Sequence, residues 1–320
     1  MNTVAILGSG FGLYGYLPAL ALSGATPILL PARYQERFVQ RPELARFANN
    51  IVWTPDEDSA LRSANGVVLA LCPNMQCTRL ADCLNYSNIQ YLLLEKPLAP
   101  NPTSAADWHA KLVASGKTFR LAYMFRFLDW AEILHAFCAD SSGAGRVTIR
   151  WHFLAHHVRF AVDTWKRRHS LGGGAIRFYG IHLIALLAEL GYSEAAYSSS
   201  NGMDSDEVNH WQAIFTGSDL PDCEIDLDCA ASESLFSVSG NSPSGARFEI
   251  HRDDPFCDNS PVLPGTADRR VQPLIHFCQS AFSDCGQESV YRSTIQLWQT
   301  VEVVDRRRLT GTASAHNWAV

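Results

Sequence analysis

The sequence predicts an α/β fold, with a parallel sheet in the first part of the chain and an antiparallel sheet in the second. Three observations carry this. Short apolar runs alternate with helical stretches up to about Phe125. Strand-like segments then follow one another without helices between them from Glu194 onward. A glycine-rich bend follows the first apolar run directly. Strands alternating with helices imply βαβ units, whereas strands in succession imply antiparallel pairing.

In order, Thr3 to Leu7 is a strand ended by glycine, and Leu13 to Leu22 fits a helix. Thr26 to Leu30 is the second strand, Gly66 to Leu71 the next, and Gln76 to Leu84 a helix. Gln90 to Leu94 and Thr118 to Tyr123 are further strands, with a helix from Ala105 to Ala114 between them. These runs are apolar throughout rather than alternating, as expected where helices cover both sheet faces. A helix from Leu128 to Phe137 leads to a polar break at Asp140 to Gly145, and Arg146 to Leu154 reads as a strand. Gly172 to Gly174 opens a helix reaching Leu190, in which Tyr179, Leu183, Leu186, Leu187 and Leu190 recur at helical spacing as a core stripe. The later strands are Glu194 to Ser199, His210 to Thr216, Glu224 to Cys229, Ser234 to Ser239 and Arg247 to His251. A closing helix, Val290 to Arg306, is expected to pack back on the body. No repeat or interdomain linker is visible, so the two parts are expected to share a continuous interface with a cleft.

Composition narrows the function classes. The 320 residues are 47% hydrophobic and 18% charged, ordinary for a folded chain of two domains. A net charge of −6 opposes broad electrostatic attraction to nucleic acid or anionic membrane. No leader pattern is read at the start, and the most apolar stretch, Ile181 to Leu190, is interrupted by His182 and Glu189. The nine cysteines, an odd number with no CxxC, read as reduced thiols, and a cytoplasmic location is expected. His156-His157 lacks the helical spacing and carboxylate company of a metal site, so no metal is expected.

Gly8-Ser9-Gly10-Phe11-Gly12 lies between the first strand and the first helix, where a dinucleotide site needs it. The first glycine permits the tight turn and the second lets backbone approach a pyrophosphate. The helix N-terminus then offers N–H groups and a positive dipole end. In this register the third glycine of GxGxxG falls on Leu13; a formal match from Gly10, Gly12 and Gly15 is set further from the strand. The same bend also suits a strand–helix turn without a ligand. After the second strand comes Leu29-Leu30-Pro31-Ala32-Arg33, with no acid for ribose hydroxyls. Arg33, with Arg37, could pair with a 2′-phosphate, which favours NADP over NAD; a solvated surface arginine is the alternative. Glu95-Lys96-Pro97 follows an apolar strand, and a lysine there could hydrogen-bond a substrate oxygen during hydride transfer. Pro97 biases Lys96 to extended backbone and is a candidate for a cis bond; a surface Glu95–Lys96 salt bridge is the alternative.

Together with Leu17-Pro18-Ala19-Leu20, Cys72-Pro73-Asn74, Glu95-Lys96-Pro97-Leu98-Ala99, Gly172-Gly173-Gly174-Ala175 and Gly180-Ile181-His182, the glycine bend resembles the Gfo/Idh/MocA oxidoreductases, relatives of glucose-fructose oxidoreductase and inositol dehydrogenase. The motifs stand in family order and, with the closing helix, span nearly the whole chain. The resemblance implies an N-terminal Rossmann doubly wound parallel sheet, residues 1–123, binding the dinucleotide. It implies a C-terminal α+β domain, residues 124–320, with a mostly antiparallel open-faced sheet for substrate binding and oligomerisation as a homodimer or homotetramer. The nicotinamide would lie in the cleft. NADP or NAD would be held by Gly8, Gly10, Phe11, Gly12, Arg33, Cys72, Pro73, Asn74, Glu95 and Lys96. The family's catalytic lysine falls on Lys96 and its histidine on His182.

Two positions depart from the family. Its substrate-binding Asp falls on Phe178, and the histidine after its Thr-Pro-Asn segment falls on Cys77. Tyr179 is a possible substitute proton donor, although its place in the apolar stripe favours packing. Substrate contacts are expected from Lys96, Arg126, Trp165, Lys166, Arg167, Phe178 and His182. Within Trp165-Lys166-Arg167-Arg168-His169 a cation could bind an anionic group such as the diphosphate of a nucleotide sugar, or the tract is a solvated basic loop. The substrate expected is a small molecule, a sugar or sugar derivative carrying a carbonyl or hydroxyl carbon. Reduction of a non-sugar carbonyl or imine is the second reading, and a non-catalytic cofactor-binding regulator the third. Lys96 and His182 argue against the regulator.

Overall fold

The computed structural model describes residues 3–140, 143, 145–204, 206–256, 263, 266, 268–281 and 287–309. The fully buried apolar run Val4–Leu7 forms β1. It is followed by α1 (Leu17–Leu22), β2 (Ile28–Pro31), α2 (Gln35–Val39), β3 (Ile51–Thr54), α3 (Glu57–Ser63) and β4 (Gly66–Leu69). Then come α4 (Pro73–Asn85), β5 (Tyr91–Leu94), α5 (Pro102–Ala114), β6 (Thr118–Leu121) and α6 (Asp129–Asp140). All six strands pair in parallel, in the order β3-β2-β1-β4-β5-β6. This is the doubly wound arrangement, with its order reversing between β1 and β4. Local chemistry fixes the helix starts. Asp56 caps α3 by accepting from Ser59 N–H (2.7 Å), and Asn101 caps α5 by accepting from Ser104 N–H (2.9 Å) ahead of Pro102.

The second sheet is built from β7 (Arg146–Leu154) and, after the short α7 (His156–Arg159) and α8 (Ile181–Leu190), from β8 (Glu194–Gly202), β9 (Val208–Thr216), β10 (Asp222–Asp228), β11 (Ala230–Asn241) and β12 (Arg247–Arg252). The chain continues through α9 (Val271–Ser280), α10 (Glu288–Val304) and β13 (Arg308–Leu309). The sheet order is β12-β11-β7-β10-β9-β8-β13. Four of the six pairs are antiparallel and two, β7–β10 and β8–β13, are parallel, so the second sheet is the mostly antiparallel one expected. β7 returns beside β10 only after a long crossover, which is what a parallel neighbour requires. β10 shows the alternation of a sheet with one covered face. Cys223, Ile225 and Leu227 are buried, while Asp222, Glu224, Asp226 and Asp228 face the other way.

Packing groups residues 1–133 with 255–295, and 134–254 with 296–320. The sequence suggests one cut after residue 123, close to the end of β6; packing instead returns α9 to the first unit. Val271, Leu274, Phe277 and Cys278 of α9 join Leu13, Tyr16, Leu17 and Leu20 in one core. The helical stretch His169–Leu190 is long and apolar enough to cross a membrane, longer than the run read from the sequence; 78% of its most apolar window is buried inside the protein, as in a core helix. Seven cysteines are free thiols; Cys257 and Cys285 lie outside the described residues.

Candidate functional site

In the first unit the candidate residues gather at the carboxyl ends of the parallel strands. Gly8 has φ +123°, and a Cβ there would overlap the carbonyl oxygen of Ala70 at the end of β4. Only glycine permits that approach of β1 to β4 at the point where strand order reverses. Above Gly10 the opposite holds, since a Cβ would meet nothing within 4 Å. A Gly12 Cβ would press on Ile6 at 2.8 Å, so Gly12 permits the close helix–strand packing although the motif's third position falls on Leu13. The helix after the bend opens with a π turn, Gly12–Tyr16, rather than the plain α-helix expected from Leu13. Phe11 sits under the Arg270 guanidinium, 4.3 Å from its ring centre.

Arg33 does not stand alone at the end of β2. It pairs with the buried carboxylate of Glu57, which also takes Arg79 and accepts from the Tyr34 hydroxyl at 3.0 Å. The same hydroxyl accepts the Gly8 N–H at 3.0 Å, so this acid is linked to the glycine bend through one tyrosine. Arg37 donates to the Ser9 hydroxyl at 2.7 Å. Glu57 thus gathers two arginines, of which Arg79 also pairs with Asp82 at 3.1 Å. Sequence reading missed Glu57, since its reach to β2 depends on how α3 packs.

After β5, the Lys96–Pro97 bond is cis. The Glu95 carboxylate turns inward and accepts from the Tyr16 hydroxyl at 2.8 Å. Burial pushes the Glu95 carboxyl up, while Lys96, the Tyr16 bond and Arg270 pull it back. Cys72 stands at the N-cap position of α4 without a side-chain capping bond, with Pro73 at the first helical position and Asn74 next. Cys77, at the family histidine position, lies with its sulfur 3.8 Å from the Leu98 carbonyl; burial pushes its thiol up to about 11, so it stays protonated. Arg126 lies in the 3-10 turn Met124–Phe127, against the Phe127 ring.

In the second unit a cluster of rings surrounds the departure from the family pattern. Phe178 meets Trp165 edge-on at 5.2 Å and Tyr179 at 4.7 Å; Tyr179 meets Phe153 at 4.8 Å and Trp151 at 5.6 Å. The Lys166 ammonium lies 5.4 Å from the Phe178 ring centre. The glycine run is needed for close approach, since a Cβ on Gly173 would overlap the Trp165 carbonyl. The helix then opens with a second π turn, Ala175–Gly180; such turns often occur at functional sites. Arg177, one residue before Phe178, makes two bonds to Glu302, at 2.7 and 2.6 Å. Arg177 and His169 hold the Glu302 carboxyl down at about 2 against the opposing effect of burial.

The basic tract divides. Arg167 makes a bidentate pair with the buried Glu207, at 2.8 to 3.1 Å, and Arg168 faces Asp163 and Asp204. Of the three cations, Lys166 alone is set against the ring cluster. Tyr179 packs among rings, with His157 stacked at 6.2 Å. Burial, then Lys166 and Arg167, press the His157 imidazole down to about 4, so it is neutral at pH 7. His182 is 3% exposed in the first turn of α8, within an unbroken buried run from Ile181 to Ala188. Among the described residues no group of three or more His, Cys, Asp or Glu is placed to hold a metal ion.

No protein-family model matches the chain, and no curated relative matches it. Solved structures match it in fold over nearly its full length. The WlbA dehydrogenase from Bordetella pertussis, in complex with NADH and UDP-GlcNAcA, is 13% identical over 94% of this chain and 96% of its own, with a TM-score of 0.70. A 3-ketoreductase from Actinomadura kijaniata, in complex with NADP and TDP-benzene, is 15% identical over 96% and 99%, with a TM-score of 0.66. An oxidoreductase from Thermotoga maritima is 14% identical over 95% of both chains, with a TM-score of 0.71. At these identities the likeness is one of fold.

Proposed function

We propose that the protein is an NAD(P)-dependent oxidoreductase that moves a hydride between a nicotinamide and a carbonyl or hydroxyl carbon of a sugar or sugar derivative. The observation that carries this reading is a glycine bend with open space above Gly10 at the switch point of a parallel sheet whose β5 leads into Lys96, two residues past its end. The bend fits a dinucleotide, since backbone can approach a pyrophosphate there without a side chain between them. Gly8, Gly10, Phe11 and Gly12 would hold the phosphates, Arg33 and Arg37 a 2′-phosphate, and Cys72, Pro73, Asn74 and Glu95 the nicotinamide half. The fold neighbours solved with NADH or NADP support the same assignment.

The bound nicotinamide supplies or accepts the hydride. The chain's own residues handle the proton and the substrate. Lys96 donates a hydrogen bond to the reacting oxygen, gives it a proton on reduction and takes one on oxidation. Its positive charge stabilises the oxyanion that develops there. His182 hydrogen-bonds the substrate, and Arg126, Trp165, Lys166 and Phe178 line it. Arg167 serves instead to hold Glu207. The UDP-GlcNAcA bound to the WlbA dehydrogenase supports an activated sugar, for which Lys166 is the candidate anion contact. Tyr179 packs.

A specific observation favours a second reading, reduction of a non-sugar carbonyl or imine. Phe178, at the position of the family's substrate-binding Asp, meets the rings of Trp165 and Tyr179, an apolar surface in place of a carboxylate acceptor. Screening NADPH oxidation against nucleotide-linked ketosugars and against aryl ketones and cyclic imines decides between the two. In either case Lys96→Ala should abolish turnover with little change in cofactor affinity; turnover retained by Lys96→Ala removes the assignment. A regulator would show cofactor binding and no turnover in the parent protein. We also propose a homodimer or homotetramer, tested by light scattering on the purified protein.

A further inference from the structure

We propose that Gln76 is a positioning residue for Lys96, its carboxamide fixing the backbone turn that carries the ammonium. This rests on the reading of Lys96 as the proton-transfer group. Gln76 lies in the first turn of α4 and is 0% exposed. Its Nε2 donates to the carbonyls of Glu95 (2.8 Å), Leu98 (3.2 Å) and Pro97 (3.3 Å). Its Oε1 accepts the Glu95 N–H at 2.8 Å. A carboxamide has two N–H donors, so three carbonyls mean that one hydrogen is shared. The side chain thus grips the backbone immediately before and after Lys96, and Lys96 is the residue it encloses without bonding its peptide groups in these contacts.

Packing alone does not account for this. An apolar side chain would fill the same space but take these bonds from the three carbonyls and leave the Glu95 amide only its longer bond to the Leu69 carbonyl, at 3.3 Å, and buried peptide groups are nearly always paired. The neighbouring Cys77 thiol reaches only the Leu98 carbonyl, as a weak donor. Gln76 also belongs to the helix that starts after Cys72, its own N–H donating to the Cys72 carbonyl at 2.8 Å. One side chain therefore ties the Cys72-Pro73-Asn74 segment to the turn bearing the lysine.

The chain has four lysines, Lys96, Lys111, Lys117 and Lys166. Reductive methylation with isotope-labelled formaldehyde gives each one an NMR signal, assignable by single Lys→Arg changes. In Gln76→Met, which keeps the bulk and loses the bonds, the Lys96 signal should shift and broaden and its titration midpoint should move, with the other three unchanged. Where turnover is measured, kcat should fall by up to about 100-fold, since small misplacements cost that much. A folded Gln76→Met with an unaltered Lys96 signal overturns the proposal. If that variant does not fold, hydrogen exchange in the unaltered protein decides. Gln76 carboxamide protons protected like the amides of β5 support the clamp, and their exchange at solvated rates overturns it. Turnover surviving Lys96→Ala would remove the role of Lys96 in chemistry, yet the Lys96 signal in Gln76→Met would still report whether the clamp exists.

Discussion

Gly10→Ala separates folding from cofactor binding more cleanly than any other change in the bend. Gly10 does not have positive φ, and a Cβ built there meets nothing within 4 Å. In the protein alone the substitution is unstrained, and loss of unfolded-state freedom should stabilise by about 0.4–1 kcal/mol. Gly8→Ala is the contrast, since its Cβ would overlap the Ala70 carbonyl and its φ is +123°, so that variant should be strongly destabilised. With a dinucleotide bound, the Gly10 methyl would occupy the space through which backbone approaches the pyrophosphate. Losing that approach should cost about 3 kcal/mol or more, roughly a 100-fold rise in Kd. The assay pairs thermal unfolding of the free protein with NADPH titration by fluorescence. Gly10→Ala should melt at or above the parent temperature and bind NADPH at least about 100-fold more weakly. Parent-like NADPH affinity would refute the placement of the phosphates over the bend. A lowered melting temperature would refute the open space.

Arg33→Ala should weaken NADPH roughly 10- to 150-fold and NADH less than about twofold, because a charge-assisted contact to a 2′-phosphate is worth roughly 1.5–3 kcal/mol; equal losses for both would assign Arg33 to holding Glu57 alone. Glu302→Gln should destabilise the second unit. The carboxyl falls from its ordinary 4.5 to about 2, equivalent to about 3 kcal/mol at roughly 1.4 kcal/mol per pH unit. A depressed carboxyl stabilises fully above its unfolded value, so the parent–variant difference in urea midpoint should be complete at pH 7 and shrink as pH falls from about 4.5 towards 2; equal midpoints at pH 7 contradict it. Asp226 is likewise held down at about 2, first by His210, whose own imidazole is raised in return. The contribution of this pair should fade as pH rises through the His210 titration and again as it falls towards about 2, read as a plateau in stability between them; a pH-independent Asp226→Asn difference is the contrary result.

Much of this site was legible because it depends on local chemistry. Apolar strands, the glycines after β1 and the lysine after β5 are each written in consecutive residues, and every strand expected from Glu194 onward is present. What was not legible depends on tertiary partners. β3 is four residues with Val52 exposed, too short and mixed to stand out, and it forms by pairing with β2. α9 carries Pro273 and was not expected as a helix, yet it supplies Val271, Leu274, Phe277 and Cys278 to the first core. The parallel pairing of β7 with β10 follows from the crossover between them. Gln76 and Glu57 look like ordinary surface residues in sequence. Only the folded chain shows one gripping the Lys96 turn and the other gathering Arg33, Arg79 and Tyr34.

The most direct measurement is titration of the purified protein with NADPH and NADH, by fluorescence and calorimetry, before any substrate is sought. Saturable binding of a reduced nicotinamide, with NADPH tighter, is the predicted result. No heat and no fluorescence change with either nucleotide at millimolar concentration would leave Lys96 with no hydride partner and contradict the assigned chemistry.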